Sequence, residues 1–127
     1  MGLRLDIVAS GDLLLTSRGH VSAPETLAVM RRVRALVDES PRRIACDLRD
    51  AVAFDPSADS FTRGMLQGTV GRIVEIVIIG GPHEAMRGAG ATAAFLGAPF
   101  VFRDALPSWA APEPLLAEIG AVEISPP

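Results

Sequence analysis

The chain of 127 residues, 49% hydrophobic and 21% charged, has the length and apolar content of one folded domain rather than a disordered segment. A net charge of −3, with basic residues scattered apart from Arg31, Arg32 and Arg34, leaves no electrostatic footprint for nucleic acid. The N-terminus lacks an uninterrupted apolar signal region and the longest aliphatic run, Ile76 to Ile79, is far too short to span a bilayer, so a cytoplasmic protein without membrane insertion is expected.

Leu3 to Ala9 alternates, with Leu3, Leu5 and Ile7 set against Arg4 and Asp6, which suits a half-buried strand. Ser10-Gly11-Asp12 signals a turn, and Leu13 to Thr16 follows as a second strand, antiparallel to the first. Ser17 to Val21 reads as a connector. Ser22 and Glu25 have capping-box spacing, with Pro24 tolerated in a first turn whose amides have no helical partner. The helix they open runs to about Glu39 and turns Leu27, Met30, Val33 and Val37 inward.

Ser40-Pro41 ends that helix, and Arg43 to Leu48 is the third strand. Its lone Cys46 reads as a small buried hydrophobe. A polar loop follows, and a second helix is expected from Asp55 to about Val70, with Phe61, Met65, Leu66 and Val70 inward. Ile73 to Ile79, aliphatic on both faces except for Glu75, reads as a central strand. After a tight turn at Gly80-Gly81-Pro82, His83 to Leu96 is a third helix whose alanines and glycines permit close approach to the sheet. Phe100 to Phe102 is a fifth strand, and Pro114 to Ile119 a short last helix preceded by Trp109, an anchor for that helix against the core. The order predicts a mixed α/β sheet of about five strands with about four helices, its later strands parallel and joined by right-handed crossovers. Its core is drawn from Ile7, Met30, Val33, Leu14, Ile44, Phe61, Ile76 and Ile78.

The chemistry-bearing residues concentrate between the third strand and the second helix, where open α/β sheets place their working groups. Asp47, Asp50, Asp55 and Asp59 lie there with Ser57. Carboxylates of this kind could hold magnesium, but Asp55 is more cheaply explained as a helix N-cap followed by Pro56 at the first helical position. Gly80-Gly81 lacks the spacing of a dinucleotide fingerprint or a P-loop. His20 and His83 have no spaced metal partner, and no nucleophile elbow is present. No metal or cofactor is expected.

Asp47-Leu48, a polar loop, then Asp55 and Ser57 at a helix mouth resemble the STAS domain of bacterial anti-sigma-factor antagonists and SpoIIAA-like proteins. The two aspartates stand at the family's separation, and Ser57 falls on its second serine. Pro56 and Ala58 depart from the family's Ser and Gly. The resemblance spans nearly the whole chain, and Ser108-Trp109 is similar to the Trp-containing closing helix of broader SpoIIAA-like members. It implies one SpoIIAA-like domain over residues 1–127. It also implies a non-enzymatic regulatory role, in which a protein partner (an anti-sigma factor or related regulator) meets the surface of Asp47, Asp50, Asp55 and Asp59, with Ser57 as phosphoacceptor. A homodimer is left open. The alternative is a sensor or carrier of a small apolar ligand or lipid, with a pocket between the thin third helix and Ile76 and Ile78. A hydrolase or transferase using Asp47 and His83 is a third reading.

Overall fold

The computed structural model describes residues 2–111. Five strands, β1 (Leu3–Ile7), β2 (Leu13–Val21), β3 (Arg42–Phe54), β4 (Ile73–Ile79) and β5 (Phe100–Arg103), form one sheet in sequential order. The pair β1–β2 is antiparallel and every later pair is parallel. Three helices, α1 (Ala23–Glu39), α2 (Ala58–Leu66) and α3 (His83–Phe95), connect the parallel strands. Right-handed crossovers that step in one direction place their helices on one face. Met30, Val33 and Val37 of α1, Leu66 of α2 and Ala93 of α3 accordingly share one core cluster with Leu13, Ile44 and Ile78 of the sheet.

The opposite face is covered differently. Leu14, Ala45, Val77 and Ile79 pack there with Leu106, Trp109 and Ala110. The guanidinium of Arg43 stands 4.5 Å from the Trp109 ring centroid, a cation–π contact that fixes the segment on the sheet. Both faces of the inner strands are thus dry, which is why they read as continuous aliphatic runs. The expected helix at Pro114–Ile119 lies outside the described residues, which contain three helices.

The structure corrects several expected boundaries. The supposed connector Ser17–Val21 is strand, and so is the supposed polar loop after Leu48. Each supplies the other's backbone partners: Arg18 pairs with Asp50, Gly19 with Ala51, His20 with Ala53 and Val21 with Phe54. Two register shifts each insert one extra residue in β3, a bulged ribbon that its mixed composition concealed. Helix α2 is shorter than its expected span. Thr69 Oγ1 donates to the Leu66 carbonyl at 2.5 Å, and Gly68 and Gly71 at φ +80° and +82° turn the chain out of the helix. Val70 is consequently 73% exposed rather than inward. Ile7 and Phe61, both expected in the core, are 51% and 37% exposed, Ile7 because it ends an edge strand and Phe61 because α2 turns Leu66 inward instead.

The capping box forms as its spacing predicts. Ser22 Oγ accepts from Glu25 N at 3.4 Å, and Glu25 Oε2 accepts from Ser22 N at 2.8 Å. Glu25 Oε1 also accepts from the amides of Gly2 and Leu3, so one carboxylate joins the helix start to the first strand. Hydrogen bonds from Ser22 and from these amides hold it below the ordinary carboxylate range.

Candidate functional site

The acidic stretch does not converge into one site. Asp47, on β3, accepts from Arg49 Nε at 2.9 Å, Arg49 Nη2 at 2.8 Å and the Arg49 backbone amide at 3.1 Å. These bonds keep its carboxyl below the ordinary range and commit both oxygens, so it is no open ligand or phosphoacceptor. Nothing pairs it with His83, which is exposed at the first position of α3. Asp50 is exposed on β3 opposite Arg18. Among the described residues, no group of three or more His, Cys, Asp and Glu is placed to hold a metal ion.

Asp55 and Ser57 do meet, in a way that revises the expected cap. The helix starts at Ala58, so Ser57 is the N-cap and Pro56 lies outside the helix. Asp55 Oδ1 accepts from the Ser57 amide at 2.9 Å and from its hydroxyl at 2.6 Å, while its carbonyl accepts from Ala58 N. This is an Asx-type turn that leads the chain into α2. The Ser57 hydroxyl bond, followed by the amide bond, lowers the Asp55 carboxyl below its usual range. Asp59, one residue into α2, is exposed, and its carboxylate faces α3: a Cβ added at Gly88 would stand 2.9 Å from Asp59 Oδ2.

That contact sits at the mouth of a cavity of about 320 Å³ between the helical layer and the sheet. The sheet contributes Leu15, Ile44, Cys46, Leu48 and Ile76. Helix α1 adds Met30 and Val33, α2 adds Leu66, and α3 adds the small side chains Ala85, Ala89 and Ala93. The volume equals that of roughly ten liquid waters, whereas protein interiors leave few voids larger than one. Its cause is legible in α3. Gly90 lets the helix lie against Phe100 and Phe102 of β5, where a Cβ would come within 3.1 Å of the Phe102 ring, and the alanines beside it are too short to fill the space.

The turn before α3 is as tightly constrained. Gly81, at φ +99°, would place a Cβ 2.4 Å from the Leu48 carbonyl oxygen, so only glycine lets α3 start beside the end of the sheet core of β3. Cys46 lines the cavity from β3, and burial pushes its thiol up to about 12, which keeps it protonated. Sequence reasoning missed Ser17, Thr26, Thr62 and Thr92, the hydroxyl groups on the cavity wall. Ser17 was hidden inside the supposed connector; once β2 is continued through it, period-two alternation with Leu13 and Leu15 turns it to the same face.

No family model and no curated protein matches this sequence. Among solved structures, the crystal structure of an uncharacterised protein of the DUF3478 family with a SpoIIAA-like fold, from Shewanella loihica PV-4, is similar. The two superpose with a TM-score of 0.65 over 82% of this chain and 87% of that one, at 13% sequence identity. The fold of this protein is SpoIIAA-like, as the strand–Asp–loop–helix resemblance implies.

Proposed function

We propose that this protein is a non-enzymatic binding domain that takes a small, largely apolar ligand into the cavity between its helices and its sheet, as a sensor or carrier. The observation behind this reading is the cavity itself, about 320 Å³ walled by aliphatic side chains. Apolar side chains that face such a pocket forgo the packing partners a filled interior would give them. A ligand recovers that loss. Burial of an aliphatic chain contributes about 0.8 kcal/mol per CH₂, so a chain of about ten carbons gains roughly 8 kcal/mol, from which the cost of association is subtracted.

The test is thermal unfolding with decanol. At a hundredfold excess over Kd, binding to the folded state adds about 2.7 kcal/mol, a rise of several degrees in Tm. An unchanged Tm across a series of alcohols of different length would overturn the reading.

A regulatory protein-binding role is the second reading. It is favoured by exposed groups near the helix mouth: Asp50, Asp55 and Asp59, with Val52 at 60% exposure. In this reading Ser57 is the phosphoacceptor and the partner is an anti-sigma factor or related regulator. Phosphorylation would break the Ser57 hydroxyl's bond to Asp55 and bring about two negative charges beside it, a repulsion set against the favourable N-terminal end of α2. Ser57→Asp is expected to fold like wild type and lose the partner, while Ser57→Ala keeps it. A partner that binds all three forms equally reduces Ser57 to a helix-start serine.

A further inference from the structure

We infer that the ligand of this cavity is an amphiphile with a cationic head, an alkylammonium-type compound rather than a fatty acid or a phosphate ester. The inference rests on the apolar-ligand reading above and adds the chemistry of the head. The cavity wall contains no arginine or histidine, in a chain without lysine. A carboxylate or phosphate entering it would meet no cation on the wall itself, Arg63 reaching it only through Nε to Thr92 Oγ1 at 3.4 Å while its guanidinium lies over the Phe95 ring. Its exposed rim instead carries Asp55, Asp59 and Glu84. Among the described residues none of these three is ion-paired, although five other carboxylates on the protein are. Asp59 Oδ2 lies beside Gly88 of α3, where the absence of a side chain leaves it room at the opening.

A second, independent observation points to a polar ligand group inside. Ser17 is 2% exposed and lines the cavity from β2, yet among the described residues its hydroxyl has no hydrogen-bond partner. A buried hydroxyl without a partner is costly, and a ligand that brings a polar atom to it removes that cost. A plain hydrocarbon would not. The head group's charge adds to the preference: an ammonium near three carboxylates is attracted while a carboxylate is repelled, more strongly where apolar walls exclude water.

Binding of decylamine, decanol and decanoate, matched in chain length, distinguishes the sources of affinity. By calorimetry at low salt, decylamine is expected to bind about tenfold or more tightly than decanoate, with decanol between them and the gap narrowing as salt is raised. Asp59→Asn combined with Glu84→Gln changes only exposed side chains and leaves Asp55 as the one rim carboxylate; it is expected to remove most of the decylamine advantage over decanol and leave decanol unchanged. Ser17→Ala is expected to weaken 10-amino-1-decanol, whose hydroxyl can meet the buried position while its ammonium stays at the rim, and to leave decylamine and the Tm of the free protein unchanged. Decanoate binding as tightly as decylamine, or a decylamine preference that the double substitution does not reduce, would overturn the cationic head while leaving the cavity reading intact. If none of the three binds, the cavity reading itself fails and this inference with it.

Discussion

Asp12 shows how one residue can carry more than its position in the sequence implies. As part of Ser10-Gly11-Asp12 it reads as a turn residue, yet it is buried and accepts from Arg43 Nε at 2.9 Å, Arg43 Nη2 at 2.7 Å and the Arg43 amide at 2.7 Å. Burial alone would raise its carboxyl; the bonds from Arg43 and Ser10 outweigh it and hold the group below its ordinary range. A carboxylate depressed in the folded state contributes stability above its unfolded value near 4 and loses it as pH falls through the folded value. Glu25 and Asp47 act in the same direction. Tm is therefore expected to hold between about pH 7 and pH 5 and to fall below about pH 4. Asp12→Asn should cost about 1–3 kcal/mol at neutral pH and flatten that acid limb. A wild-type Tm independent of pH down to about 3 would contradict this.

Helix α1 illustrates what holds an element whose own sequence ends it poorly. Its last turn contains no basic residue, but two arginines from other elements satisfy its terminal carbonyls. Arg42 of β3, buried, donates to Leu36 O at 2.9 Å, to Gly11 O at 2.6 Å and to Glu39 at 2.6 Å; Arg72 donates to Val37 O at 2.9 Å. Arg42 thus ties the end of α1 to the β1–β2 turn with three donors of one planar fork. Arg42→Ala is expected to destabilise by about 2–4 kcal/mol in denaturant unfolding, and Arg42→Lys to recover only a minor part, since an ammonium cannot reach three acceptors in that geometry. A full rescue by lysine would mean that charge alone matters there. The start of the same helix was legible because a capping box is a local device written in Ser22 and Glu25. Its end at Glu39 was legible too, from Ser40-Pro41, but the arginine bonds to its last carbonyls were not, because they depend on how β3 and the approach to β4 pack beside the helix.

At the scale of the molecule, the cavity is a balance between stability and binding. Ala89, on α3, borders the cavity and packs against the main core. Ala89→Phe places a ring in the void, which is expected to raise the Tm of the free protein by a few degrees and abolish the Tm rise with decanol. If the ring instead lowers Tm, the void is too narrow for it, and Ala89→Leu provides the smaller filling. Ile44→Ala, on the floor, enlarges the void and is expected to cost about 2–5 kcal/mol. The sequence by itself determined the strands through Leu13-Leu14-Leu15 and Ile76 to Ile79, the capped start of α1, and the mixed sheet. Those features depend on hydrophobic period and turn chemistry, which are local; the SpoIIAA-like fold was implied by the motif resemblance. The sequence also indicated that a helix as thin as α3 could leave a pocket beside Ile76. Only the tertiary structure decided that Ser17–Val21 and the residues after Leu48 are paired strands, because a strand of mixed composition exists only when its neighbour supplies hydrogen bonds. It alone decided that Asp47 is spent on Arg49, because only continuing β3 past Leu48 turns both side chains to one face, and that Asp59, Glu84 and Ser17, far apart in the chain, meet one cavity, because burial arises between elements and not within them.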